Sequence, residues 1–350
     1  MKQIDIVVLD ASLTGGIESF ARRLCAAFRE TGMSARIISL YYQADLDLKS
    51  EDIVVLNPVG VQQAGRFSLF KTVWQLRKIT QNSVIIHTFN NIFIFSALLN
   101  FSSLKRTVYT EHSSFDAVRP HVRFMLNCLV GFCSSLVCQT DYSRKKYSRV
   151  HRKNLVKIPP SYVEIDRNLP LTKESGLQIA FVGRLEQSKG VNDFIKVSET
   201  LISLNPDIRV HIFGEGSFVA EVDAFCSSSR AKGRATYHGF KNTWYETVRG
   251  LDFLFILSSS ESFSIVGIEA AAQGAALVMY NDLIGPKDYT TEETSIEISR
   301  DLSYASIERL HQQMVSLRSN PICANRCAQS VQSYNKDAFQ NDWSAIVRDV

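Results

Sequence analysis

The chain repeats one rhythm twice: an apolar run, a turn, a helical pattern, then the next apolar run. In the first half the apolar runs are IDIVVLD (4–10), ARIISLYY (35–42), DIVVLN (52–57), SVIIHTF (83–89), RTVYTE (106–111), SSLVCQT (134–140) and NLVKIP (154–159). The polar, proline-rich stretch PPSYVEIDRNLPLTKESG (159–176) has no period and reads as a linker. The rhythm restarts with LQIAFVG (177–183), IRVHIFG (208–214), ATYHGF (235–240), LDFLFILS (251–258) and AALVMY (275–280). Near-continuous apolar strands separated by helices require cover on both faces, as in parallel sheets. The expected fold class is therefore α/β, with two domains. The first spans 1–165, a linker 166–176, and the second 177–325. The remaining 326–350 forms a helical segment expected to pack back toward the first domain.

The bulk properties exclude several classes. Lys and Arg number 39 against 35 Asp and Glu, a formal charge of +4, so the whole chain is no polyanion binder. The basic residues Arg144, Lys145, Lys146, Arg149, Arg152, Lys153 and Lys157 nevertheless crowd one region, joined by Arg119, His121 and Arg123. None of the seven cysteines forms a CxxC pair, which suits buried thiols in a reducing, cytoplasmic compartment. The start MKQIDIVVLDAS does not read as a signal peptide. The most apolar segment, FMLNCLVGFCSSLVCQT (124–140), carries Asn, Ser and Gln and reads as a buried helix and strand. Neither HExxH nor a comparable carboxylate cluster is present, nor a GxSxG elbow, so neither a committed metal site nor serine hydrolysis is expected. An RNP-type aromatic pair and zinc-finger spacing are missing, so no nucleic-acid partner is expected.

Chemistry-bearing residues gather where strands end. Gly15 and Gly16 follow the first strand and read either as a plain tight turn or as close backbone approach to a ligand. In FVGRLEQSKG (181–190), Arg184 and Lys189 lie just past a strand, where a forked cation and a point charge suit a diphosphate; the bland alternative is a solvated loop. HIFGEGSF (211–218) places Gly214 in a turn that suits a nucleotide or nothing. Glu261 follows another strand in ESFSIVGIEAAAQG (261–274). Its SFS run is expected to cap a helix whose N–H groups face an anion. Glu269, about two turns into that helix and flanked by alanines, suits hydroxyl donors such as a ribose diol. In the first domain His87, Asn90, Glu111 and His112 also sit at strand ends.

Taken in order, GGIE (15–18), TEHS (110–113), FVGRLEQSKG, FGEGS (213–217), HGF (238–240) and Glu261 to Glu269 resemble the retaining, nucleotide-sugar-dependent glycosyltransferases of family 4, of the bacterial surface-polysaccharide type. The resemblance covers nearly the whole chain. It implies a GT-B fold, two Rossmann-like domains facing each other across a cleft, with the acceptor on the first domain and the nucleotide sugar on the second. It implies that Arg184 and Lys189 offset the diphosphate charge, that Glu269 binds the ribose and that Glu261 contacts the donor sugar. Ser262, Phe263, Ser264, Ile265 and Val266 would line the phosphates, and His112 would touch the sugar near the reacting carbon. Gly15, Gly16 and Gly214 join the donor-binding set. No metal and no tightly bound cofactor are implied.

The implied activity is transfer of a hexosyl or N-acetylhexosaminyl group from a UDP-sugar, or secondarily a GDP-sugar, to a glycan hydroxyl. The expected acceptor is a lipid-linked oligosaccharide in O-antigen, capsule or related synthesis. The basic 119–157 region is expected to touch an anionic inner membrane on its cytoplasmic face, against the alternative of a solvated helix face. Neither monomer nor dimer is specified. Competing readings are a nucleotide-sugar epimerase, a sugar-phosphate transferase, or a non-catalytic carbohydrate-binding protein on the same fold. Two departures stand out. Relatives often read EGFG where this chain has Glu261-Ser262-Phe263-Ser264, and Gly-x-Pro where it has GAALVMYN.

Overall fold

The computed structural model describes residues 2–12, 15–42, 52–59, 68–113, 115–149, 154–163 and 176–350. Most of the expected linker, together with Arg152 and Lys153, lies outside them. The chain divides into two compact units, Met1–Tyr162 with Lys336–Val350, and Val163–Asn335.

Unit 1 runs β1 (Ile4–Asp10), α1 (Gly16–Glu30), β2 (Ala35–Tyr41), β3 (Ile53–Val55), α2 (Ser68–Ile79), β4 (Val84–His87), α3 (Asn90–Leu99), β5 (Thr107–Thr110), α4 (Pro120–Val130), β6 (Ser135–Cys138), α5 (Asp141–Tyr147) and β7 (Leu155–Lys157). The sheet is parallel, in the order β3-β2-β1-β4-β5-β6-β7. Because strand side chains alternate faces, each strand feeds two cores. Ile4, Ile6 and Val8 join Ile37, Ile86, Val108 and Val137 under Phe20, Leu24 and Phe28 of α1. Val7, Ile38, Leu40 and Ile85 face α2 and α3 through Val73, Leu76 and Ile92. Tyr109, Leu136 and Cys138 meet Phe93 of α3 and Leu126, Leu129 and Val130 of α4. One face therefore carries α1 and the other carries α2, α3 and α4.

Unit 2 runs β8 (Gln178–Val182), α6 (Val191–Leu204), β9 (Arg209–Phe213), α7 (Val219–Ser227), β10 (Ala235–Tyr237), α8 (Trp244–Thr247), β11 (Phe253–Ile256), α9 (Ile265–Ala272), β12 (Ala276–Tyr280), β13 (Ser295–Ile298), α10 (Tyr304–Ser319) and α11 (Cys323–Ser330). Its sheet is also parallel, in the order β10-β9-β8-β11-β12-β13, around one continuous core. The final helix, α12 (Lys336–Arg348), belongs to unit 1: Trp343 and Phe339 pack on Phe20, with ring centroids 5.6 and 6.5 Å away, and Lys336 pairs with Glu30 at 2.9 Å.

Each unit has the doubly wound, Rossmann-like topology. Strand order reverses between β1 and β4 in unit 1 and between β8 and β11 in unit 2. Loops leaving the carboxyl ends of those strand pairs diverge and leave a crevice, which is where open α/β sheets bind ligands. One expectation needs correction. The strand within 124–140 is buried, as are Leu126, Leu129 and Val130 of α4, but the helix is not buried all round: Phe124 is 70% exposed. The helix covers one face of the sheet and turns its other side outward.

Candidate functional site

The switch point of unit 2 gathers most of the singled-out residues. After β8, Gly183 donates its N–H to the Phe213 carbonyl at 3.1 Å, and Leu185 donates to the Glu215 carbonyl at 2.8 Å. The turns after β8 and β9 are thereby stacked. Glycine is needed in this stack: a Cβ on Gly214, at φ +134°, would lie 1.8 Å from the Gly183 oxygen. Gly190, at φ +77°, caps the start of α6 against the Leu257 carbonyl, 2.0 Å from where a Cβ would stand. The closeness of β8 and β11 loops is what forbids a side chain there.

That closeness also brings two sequence-distant charges together. Lys189 Nζ donates to Glu261 Oε2 at 2.9 Å, and Ser258 Oγ donates to the same oxygen at 3.2 Å. The backbone follows suit, with Ser259 N–H donating to the Ser188 carbonyl at 2.9 Å. Arg300 braces the segment from the far side. Its Nη2 donates to the Ser258 and Ser259 carbonyls, each at 3.4 Å, while Nε pairs with Asp282 at 2.8 Å. Arg184 differs from Lys189: it is exposed and has no ion pair or side-chain hydrogen bond among the described residues. Lys189 and Glu261 thus offset each other, while Arg184 has no such partner among the described residues.

The segment leading into α9 is held from behind. Tyr289 donates its hydroxyl toward the carbonyls of Phe263 and Ser264, at 3.2 and 3.1 Å. Gly285 approaches so closely that a Cβ there would sit 2.5 Å from Phe263 N. Ser264 was expected to cap α9 through its hydroxyl, but it adopts φ +73°, ψ +90° and makes no side-chain cap bond. The first N–H groups of α9 therefore stay without that partner. A helix start of this kind attracts an anion. Ser262, Ile265 and Val266 are half-buried around it.

Glu269 stands about one turn into α9, not two, and Trp244 Nε1 donates to its Oε2 at 2.9 Å. Trp244, on α8, is buried against Phe213. Sequence reasoning passed over this residue. The available signal was general: a buried indole N–H needs an acceptor.

In unit 1, Gly15 is the extended N-cap of α1, and both Gly15 and Gly16 are exposed. His112, just past β5, keeps some exposed surface, yet its ring is enclosed. Gln139 Nε2 lies 2.7 Å from Nδ1, Thr110 Oγ1 lies 3.2 Å from Nε2, and the Phe20 ring is centred 4.5 Å away. Burial pushes its pKa down to about 3, so the ring is neutral near pH 7. With the Gln139 amide donating to Nδ1, the ring proton sits on Nε2. The neighbouring Glu111 is buried with Oε1 unpartnered, and burial pushes its pKa up to about 8. His87 packs into the core beside Phe93, and Asn90 accepts a hydrogen bond from Tyr109 at 2.6 Å. Nδ1 of His87 is buried without a hydrogen-bond partner. Among the described residues no group of three or more His, Cys, Asp and Glu could hold a metal ion.

Residues 163–329 match the family model for glycosyl transferases group 1. A Haemophilus influenzae protein described as an uncharacterized glycosyltransferase is 23% identical over 299 residues, covering 82% of this chain and 83% of its own length. Among solved structures, the lipopolysaccharide outer core galactosyltransferase WaaB in its apo form superposes with a TM-score of 0.73 at 14% identity, over 99% of both chains. HepE of Anabaena, in complex with UDP, gives 0.77 at 14% identity over the whole of both chains. At such identities these two likenesses concern the fold.

Proposed function

We propose that this chain is a GT-B glycosyltransferase of the glycosyl transferases group 1 type, and that it moves a hexosyl or N-acetylhexosaminyl group, with retention, from a UDP-sugar to a hydroxyl of a lipid-linked oligosaccharide. One observation carries the donor assignment. After β8 and β11, unit 2 carries a cation without an ion pair, Arg184, a cation–carboxylate pair, Lys189 with Glu261, and a helix start without its side-chain cap, while α9 itself carries a carboxylate held by a tryptophan of α8. Each suits one part of a nucleoside diphosphate sugar. Arg184 and Lys189 offset charge on the diphosphate as the bond to the sugar breaks. The start of α9, from Ser262 to Val266, receives the phosphate oxygens. Glu269 accepts from the ribose hydroxyls, and Glu261 contacts the sugar.

The hydrogen bonds limit the chemistry further. Oε2 of Glu261 is occupied by Lys189 and Ser258, an arrangement suited to holding a sugar hydroxyl rather than attacking carbon. His112, neutral near pH 7, serves as a hydrogen-bonding group to the sugar and not as a general acid. The family resemblance implies attack on the same face, with the leaving phosphate as the base for the acceptor hydroxyl. UDP is favoured because HepE has been solved with UDP-glucose and TarM with UDP. The surface-polysaccharide setting follows WaaB, whose name places it in lipopolysaccharide outer core synthesis. An acceptor of that class would place the enzyme at the cytoplasmic face of a membrane.

The test is release of nucleoside diphosphate from a panel of UDP-, GDP- and ADP-sugars, with magnesium and with EDTA. Release from one UDP-sugar, unchanged by EDTA and abolished in Glu269→Ala, is the expected result. Folded protein that binds no nucleotide at all would overturn the donor site.

Trp244→Phe gives a finer check. It removes the indole donor while keeping a ring in the pocket. A hydrogen bond to a charged group contributes about 1.5–3 kcal/mol, so KM for the donor should rise on the order of tenfold or more. The turnover number should change little. A fall in kcat at constant KM would place Glu269 in the chemical step instead.

A further inference from the structure

The outer side of α2, α3 and α4 is unusually apolar. Phe70 and Trp74 lie one turn apart on α2, and Phe95 and Leu98 one turn apart on α3. Phe124 points outward from α4. Phe101 follows α3 and Phe132 follows α4, and their rings meet at 4.9 Å, joining the two helix ends. These seven side chains are between 43% and 70% exposed. Helix α3 packs against both α2 and α4, so the residues form one face rather than scattered spots. Single exposed apolar residues are ordinary; a face of aromatics across three adjoining helices is not.

Charge distinguishes what this face can meet. From residue 53 to residue 110 the sequence has no Asp or Glu. Over residues 53–163 it has 15 Lys and Arg against three Asp and Glu, a formal +12, while the whole chain is +4. Lys71, Lys78, Lys105 and Arg119 border the apolar face and have no ion pair among the described residues, whereas Arg77 lies over the Trp74 ring, 5.3 Å from its centroid. The cations of the 144–157 region are less available. Arg144 and Lys157 both pair with Asp141, at 3.0 and 2.6 Å, and Lys146 lies over the Phe115 and Tyr142 rings.

We propose that the α2–α4 face of unit 1 docks on an anionic lipid bilayer, with its aromatic side chains in the headgroup boundary and the bordering cations on the lipid phosphates. Aromatic rings favour that boundary, and basic residues beside it add attraction to anionic lipid. No helix among the described residues is long and apolar enough to cross a membrane, so this is attachment to one surface. A symmetric second copy is a poor occupant, because a two-fold axis would set the same cations against one another. This docking is independent of the donor reading, since vesicle binding requires no turnover.

The protein carries its own reporter. Of its three tryptophans, Trp74 lies on this face, whereas Trp244 and Trp343 are buried. Full-length protein is mixed with phosphatidylcholine vesicles, with and without about one-third phosphatidylglycerol, some carrying brominated acyl chains. Expected are sedimentation with the anionic vesicles only, quenching by bromolipid, and loss of that quenching in Trp74→Phe. Each cation near an anionic surface is worth about fivefold in partitioning. Lys71→Gln with Lys105→Gln should therefore weaken binding by more than tenfold, and Phe124→Ser with Leu98→Ser should abolish quenching at an unchanged melting temperature. Any of three results would overturn the proposal: vesicle binding untouched by all of these variants, a dimer that Phe124→Ser dissociates, or RNA binding that it abolishes.

Discussion

Replacing Arg184 with alanine should lower kcat/KM about 10²–10³-fold, the usual cost of removing one group aimed at transition-state charge. The melting temperature should move by less than about 2 °C, as for other exposed side chains without partners. The separation follows from geometry. Arg184 stands exposed beyond β8 and has no ion pair to lose. Lys189 is a poorer probe, because its removal leaves Glu261 without its cation. Negative charge builds on the leaving diphosphate as the glycosidic bond lengthens, so a cation there acts more on the transition state than on the bound donor. The loss should therefore appear mainly in kcat. Arg184→Lys should recover part of it, since the charge is kept but the two-pronged contact is not. Wild-type kcat/KM in Arg184→Ala would remove this residue from the reaction.

The parallel sheets, the order of their loops and the positions of Arg184, Lys189, Glu261 and Glu269 were legible because they depend on short-range pattern. Apolar runs of strand length, glycines after them and charges beyond them are local signals. Other features arise from contacts between distant segments. Trp244 meets Glu269 from 25 positions away, and nothing around KNTWYE announces it. Lys189 and Glu261 are legible as two charges but not as a pair, since only the adjacency of β8 and β11 joins them. Ser264 misleads: serine suits a helix cap, yet Tyr289 and Gly285 hold its backbone at a positive φ that its own side chain disfavours. The 124–140 segment misleads in the opposite direction. Its apolarity suggests burial throughout, and Phe124 and Cys128 instead face outward on α4.

Glu111→Gln should reshape the dependence of stability on pH. Burial raises the Glu111 pKa to about 8, with Asp116 adding to the rise and a Ser143 hydrogen bond opposing it. Below pH 4.5 the carboxyl is protonated whether the chain is folded or not. Between about 4.5 and 8 the unfolded chain gives up this proton and the folded one keeps it, so stability falls as pH rises. His87 and His112 act with the other sign. Burial lowers both to about 3, so below pH 6.5 the unfolded chain takes up protons that the folded chain refuses, and stability falls as pH drops. From 4.5 to 6.5 the two histidines outweigh the one carboxyl, whereas above 6.5 only the carboxyl remains. These three groups place the stability maximum near pH 6.5. At about 1.4 kcal/mol per pH unit, the descending limb amounts to roughly 2 kcal/mol by pH 8, and glutamine should abolish it. Urea unfolding of both proteins at pH 5.5, 6.5 and 8.5 reads this directly, and parallel profiles would show that Glu111 is already ionised in the folded chain. An ionised Glu111 would also set a negative charge beside His112, whose neutral ring is the form assigned to the sugar contact. A protonated Glu111 near pH 7 and a neutral His112 are therefore two consequences of one dry strand end.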